Sequence, residues 1–141
     1  MAIDRMDWHY GGDFPDDLQE ENGGTHIGIF LAWVINNDLV GELHVKESPQ
    51  ALEDVKNRRM TGRDFLINEC DAKFWEEELD QEGLDFTESY YSEDYFDDYT
   101  EVLAEDLPTI YHVEDTWANY ERMSALIDRR FAEWKRKKET A

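Results

Sequence analysis

Three observations predict an all-α fold. Apolar residues recur every three or four positions through most of the chain, capping and breaking residues punctuate them, and period-two alternation is lacking outside a short extended piece at 41–45. The expected architecture is a compact single-domain helical bundle, residues 1–141, with about five to six helices around a buried central helix and an ordered N-terminal loop. At 141 residues the chain is long enough to bury a continuous core without staples.

Residues 7–24 are rich in Gly, Pro, Asp and Asn and read as a loop pinned by Trp8, Tyr10 and Phe14. Thr25 then caps a helix whose apolar residues, Ile27 to Ile35, cover most of its circumference. A helix greasy on all sides is buried, so this is the predicted central helix, and Asn36, Asn37 and Asp38 stop it. Ser48-Pro49 starts a second helix, because serine caps and proline at the first helical position loses no hydrogen bond. Leu52, Val55 and Met60 give it one apolar side, with Arg58 and Arg59 in its last turn, where cations suit the dipole.

Thr61-Gly-Arg-Asp64 has the form of a capping box and opens a third helix through Phe65, Leu66 and Cys70. Residues 73–79 are expected to continue helically after a break, and Gly83 closes that segment. Residues 84–91 and 93–104 read as two further helices carrying Phe86, Tyr90, Phe96, Tyr99 and Leu103, and Pro108 ends the region. Behind a cap at Asp115 or Thr116, Trp117, Tyr120, Ser124, Ile127, Phe131 and Trp134 recur every three or four residues. They predict a long amphipathic helix that ends in the basic tail Lys135-Arg-Lys-Lys138.

Formal net charge is −21, with 35 acidic against 14 basic side chains. Such an excess suggests disorder, but 40% hydrophobic and 13% aromatic residues belong to a chain that folds. The sign of the charge excludes partners held by phosphate, so neither nucleic acid nor a membrane surface is expected. Cys70 is the only cysteine; it forbids an intrachain disulfide and reads as a small core residue. The start of the chain lacks the basic and apolar regions of a signal peptide, and no apolar run reaches membrane-spanning length, so a cytoplasmic protein is expected.

The charge is concentrated. Residues 74–121 contain no Lys or Arg, yet hold 17 Asp and Glu and 11 aromatic residues. Ordinary exposed helix faces mix signs so that Glu and Lys pair at four-residue spacing, which this block cannot do internally. Tyr90, Tyr91, Tyr95 and Tyr99 are too spread around an α-helix for all to face inward, so some are expected at the surface. Exposed tyrosines among carboxylates suit a protein-binding patch, and the expected contact residues are Glu88, Tyr90, Tyr91, Asp94, Tyr95, Asp97, Asp98, Tyr99 and Glu101.

Other chemistry has weaker signals. Glu78, Asp80, Glu82 and Gly83 echo a calcium loop, but Ser89 stands where the bidentate glutamate belongs. The four histidines, His9, His26, His44 and His112, show no short ligand spacing, so no metal and no cofactor is expected. An enzyme or small-ligand binder would use the N-terminal loop, with His9, Asp13 and His26 as the acid and base pieces.

Four segments taken together, Asp7-Trp-His-Tyr-Gly-Gly-Asp-Phe-Pro15, Glu21-Asn-Gly-Gly-Thr-His-Ile-Gly-Ile-Phe-Leu-Ala-Trp33, Thr61-Gly-Arg-Asp-Phe-Leu66 and Tyr111-His-Val-Glu-Asp-Thr-Trp117, resemble a family of small bacterial cytoplasmic proteins of unassigned function. The resemblance covers nearly the whole chain and implies that the segments share one domain, but it lends no activity. In size and charge the chain is also similar to immunity proteins of polymorphic toxin systems, which bind and block a cognate toxin. The function expected on these grounds is a protein-binding inhibitor, with a cognate toxin or other basic protein as its partner.

Overall fold

The computed structural model describes residues 2–9 and 14–140, and these are mostly helical. The helix expected to be central is so: α1 (Thr25–Asn36) buries every residue from Thr25 through Ile35. Its start is set differently from the expectation. Gly24 is the N-cap and Thr25 lies inside the first turn, where its hydroxyl accepts a hydrogen bond from Arg63 at 3.1 Å.

α2 (Glu42–Glu47) packs on α3 (Pro49–Lys56), and α3 and α4 (Gly62–Glu69) pack against α1. The piece expected to be extended at 41–45 falls mostly in α2, leaving Val40 in an isolated bridge to Leu79. Pro49 opens α3 as predicted, although Ser48 makes no side-chain cap bond. Arg58 and Met60 lie beyond the end of α3, and Arg58 takes a left-handed φ of 60°. Thr61 caps α4 through its hydroxyl, which accepts from the Asp64 amide at 3.1 Å. α1 and α4 cross backbone to backbone at Gly28 and Gly62. A Cβ on Gly62 would collide with the Gly28 carbonyl, so only glycine allows this approach.

The segment expected to continue helically at 73–79 instead forms β2 (Lys73–Trp75), then a 3₁₀ turn (Glu76–Glu78). Asp71 and Ala72 both adopt left-handed φ, 53° and 59°, which ends the helical path. β2 pairs antiparallel with β1 (Ala2–Arg5), Asp4 lying opposite Phe74. Sequence periodicity cannot reveal a pairing whose strands lie so far apart in the chain, and each is too short to alternate visibly.

Residues 81–104, expected as two helices, wind as one continuous element. It comprises α5 (Gln81–Tyr90), a π-helical turn (Tyr91–Tyr95), α6 (Phe96–Tyr99) and a second π-helical turn (Thr100–Ala104). α7 (Trp117–Thr140) closes the fold, with Thr116 capping it by accepting from the Asn119 amide at 3.2 Å. It docks on the core through Tyr120, Met123 and Ile127, and through Trp33, whose indole donates to Asp128 at 2.8 Å. Among the described residues no helix is long and apolar enough to cross a membrane.

Candidate functional site: an acidic helix face above a buried histidine and aspartate cluster

The π-helical turns decide what the acidic segment presents. On a regular α-helix a step of four residues overshoots the turn by about 40°, so tyrosines spaced by four drift around the surface. Turns closed by i→i+5 bonds hold more residues and cancel that drift. Tyr91, Tyr95 and Tyr99 therefore stay on one side, and with Tyr90 they are buried, at 2%, 0%, 0% and 4% exposure. The expectation that some of these tyrosines form an exposed patch is thus corrected.

Each of three hydroxyls has a partner. Tyr91 donates to Asp4 at 2.6 Å, Tyr95 to the His26 carbonyl at 2.5 Å and Tyr90 to Asp98 at 2.7 Å. Burial pushes all four tyrosine hydroxyls far above their ordinary range, with Asp98 adding to the effect on Tyr90 and Asp4 to that on Tyr91. They remain neutral donors that pin the inner face.

The carboxylates divide between the two faces. Asp98, expected at the partner surface, is buried and receives two hydrogen bonds from the Arg130 guanidinium at 3.0 and 3.1 Å. Arg130 comes from α7, so the missing cation of the block is supplied from outside it. Glu82 likewise meets Lys135, at 3.8 Å. Glu88, Asp94, Asp97 and Glu101 are exposed, together with Glu93, Glu105 and Asp106. The negative face survives in these residues, on a helix whose opposite side is anchored.

Beneath that helix lies a polar cluster. β1 holds Asp4 inward through its pairing with β2, the 3₁₀ turn Met6–Trp8 delivers His9, and the first turn of α1 delivers His26. Asp4 Oδ1 lies 2.7 Å from His9 Nε2, and Oδ2 lies 3.2 Å from His26 Nε2 while also accepting from Tyr91. His9 Nδ1 is 2.8 Å from the Tyr111 hydroxyl, and the two imidazoles meet edge to face at 4.5 Å. Burial on its own pushes the Asp4 carboxyl up, but the hydrogen bonds from His26 and His9 outweigh it and hold the group ionised, below the ordinary carboxylate range.

His26 goes the other way. Burial pushes it down from its ordinary 6.5 against the pull of Asp4, so the ring is neutral at pH 7, with its Nε2–H donating to Asp4. Its Nδ1 is then a bare acceptor, buried and without a hydrogen-bond partner among the described residues. An ionised carboxylate that orients two imidazoles can serve acid and base chemistry, and the three ligand atoms also lie within 4.8 Å of one another, close enough to hold a metal ion.

Two of the three residues expected for a ligand site, His9 and His26, thus meet. Asp13 and Tyr10 lie outside the described residues, and Asp4 supplies the carboxylate. Asp4 carried no sequence signal, because only the β1 and β2 pairing turns it inward. Trp8, expected to pin the loop, is 57% exposed, whereas Phe14 packs on Tyr111 at 5.0 Å. Asp115 accepts from Thr61 at 2.8 Å and lies 3.3 Å from Arg63. His9, Phe14, His26 and Tyr111, like Thr61, Arg63 and Asp115, show the four quoted segments touching one another.

A second buried group joins His44 of α2, Cys70 at the end of α4 and Glu78 after β2, all at most 6% exposed. Burial pushes the Cys70 thiol far up, and Glu78 adds to this, so on its own it is no nucleophile.

A family model for a domain of unknown function, DUF7832, matches residues 2–113. The chain belongs to this family. The matched span holds β1, the central helix, both buried clusters and the acidic helix, and it stops just before α7. No curated protein and no solved structure matches the chain. Membership in DUF7832 therefore fixes kinship without lending a reaction or a partner.

Proposed function

We propose that the protein is a stoichiometric protein-binding inhibitor, an immunity protein whose acidic face fills a basic cleft on a cognate toxin. The carrying observation is the exposure of Glu88, Asp94, Asp97 and Glu101 on a helix that four buried tyrosines hold in place. A cleft that binds an anionic substrate must be positive, so a rigid negative helix can occupy it, and long-range attraction speeds the encounter. The buried tyrosines act as scaffold here and not as contact anchors. The bacterial and cytoplasmic setting of the proposal rests on the resemblance of the four quoted segments to small bacterial cytoplasmic proteins and on the sequence expectation of a signal-free start.

The test replaces Asp94 and Asp97 with Asn and Glu88 and Glu101 with Gln, then measures binding to the product of the gene beside its own. Affinity should fall by at least tenfold while the fold is kept. Unchanged affinity, or a neighbour product that does not bind, removes the reading.

One observation favours a second reading, an enzyme or small-ligand binder. The unpartnered Nδ1 of His26, in a ring held by ionised Asp4 beside His9, is a base without an assigned proton. A thermal scan against divalent metals and nucleotides tests it, since a ligand of the native state raises the midpoint by mass action. The part of the rise that belongs to this site should be lost in His26→Gln, and a panel to which the wild type and His26→Gln respond alike discards this reading.

A further inference from the structure

We propose that His44, Cys70 and Glu78 form a binding site for one zinc-class divalent metal ion, with imidazole, thiolate and carboxylate as its protein ligands. His44 Nε2 lies 3.7 Å from Cys70 Sγ and 3.6 Å from Glu78 Oε1. Metal–ligand bonds of about 2.0–2.3 Å at tetrahedral angles place neighbouring ligand atoms about 3.3–3.6 Å apart. The two distances to His44 are therefore within a few tenths of an ångström of a tetrahedral shell, and all three ligand atoms lie within 4.8 Å of one another, close enough to converge on one ion.

The surroundings point the same way. Glu78 is 3% exposed, and among the described residues no Lys or Arg lies within ion-pair distance of it. A buried carboxylate without a cation is costly, and a divalent ion between it and the thiol removes that cost. The other carboxylate oxygen, Oε2, accepts from the Trp75 amide at 3.0 Å, which fixes the orientation of the group as outer hydrogen bonds do around metals. Phe65 packs edge to face on the His44 ring at 5.0 Å and holds its plane. A sulfur, nitrogen and oxygen set suits zinc and excludes the all-oxygen shells of calcium and magnesium.

The three ligands come from α2, the end of α4 and the turn after β2, elements of eight residues or fewer. Metal there would clip together a region that has few helical turns of its own. The site is separate from the acidic face and from the Asp4 cluster, so it stands whether or not the inhibitor reading does.

Because Cys70 is the sole cysteine, a thiolate-to-cobalt charge-transfer band reports on this site alone. Titration of metal-free protein with cobalt(II) should give a thiolate-to-cobalt charge-transfer band and tetrahedral visible bands that saturate at one equivalent and are abolished by zinc. Cys70→Ser should lose the charge-transfer band, and the isosteric Glu78→Gln should weaken binding by about tenfold or more. Zinc at about a hundredfold excess over its Kd should raise the wild-type Tm by about 5–10 °C. A folded wild-type protein that develops no charge-transfer band overturns the proposal, as does Glu78→Gln binding cobalt as tightly as the wild type; the wild-type titration decides even where Cys70→Ser fails to fold.

Discussion

The inner and outer faces of the helix at 81–104 are built from one stretch of sequence and do opposite work. The inner face is four tyrosines without solvent, three of them tied by hydroxyl to Asp4, Asp98 and the His26 carbonyl. The outer face is a row of carboxylates in water. The difference teaches that aromatic and acidic residues, mixed in sequence, are sorted by helical pitch: the π-helical turn Tyr91–Tyr95 keeps the tyrosines inward and leaves the acids outside, Asp98 excepted. On the proposed function, stability and recognition fall to different sides of one element.

The largest effects should come from the inner face. Tyr95→Ala empties a wholly buried aromatic site and removes a donor from the His26 carbonyl, and should cost about 3–5 kcal/mol in urea unfolding. A loss below 1 kcal/mol would mean that the inner face is not the anchor. Tyr91→Phe keeps the ring but removes one donor from buried Asp4, for an expected loss of about 1–3 kcal/mol by the same measurement.

Acid should weaken the inner side specifically. The folded-state pKa of His26 lies below its ordinary 6.5, so the unfolded chain binds the extra proton first and stability falls as pH drops below 6.5. Asp4 has a folded pKa below its ordinary 3.8, so its contribution is present above that value and is lost further down. Both shifts have the same sign, and unfolding midpoints measured from pH 7.5 downward should decline in two stages, the first absent in His26→Gln. A flat profile between pH 7 and 5 would contradict the neutral, buried His26.

The outer face should respond least in stability. Neutralising Asp94, Asp97 and Glu101 together should shift unfolding by no more than about 0.5 kcal/mol per site, and upward where mutual repulsion is relieved. Moderate salt should raise the wild-type Tm for the same reason, because screening shortens the repulsion to about 8 Å at physiological ionic strength. If these substitutions destabilise as strongly as Tyr91→Phe, the two faces are not separable.

Local signals made the scaffold legible in the sequence. The all-apolar run at Ile27 to Ile35, the Thr61 cap and the repeat from Trp117 to Trp134 each announce an element within their own residues. What stayed hidden depends on distant partners or on pitch. Asp4 becomes a buried anion only because β1 meets β2, Asp98 is neutralised only because α7 brings Arg130, and His44, Cys70 and Glu78 share no spacing that marks them as a set. Of the nine residues expected at the partner surface, Glu88, Asp94, Asp97 and Glu101 are exposed, while the four tyrosines and Asp98 belong to the interior.

The most direct test of the central claim is the association rate with the neighbouring gene's product, measured against salt for the wild type and for the protein carrying Glu88→Gln, Asp94→Asn, Asp97→Asn and Glu101→Gln. The rate should be at least tenfold slower in the variant at low salt, and the two should converge as salt rises, with Tm nearly unchanged. Equal rates with equal salt dependence would contradict the account, because the outer carboxylates would then have no part in meeting a partner.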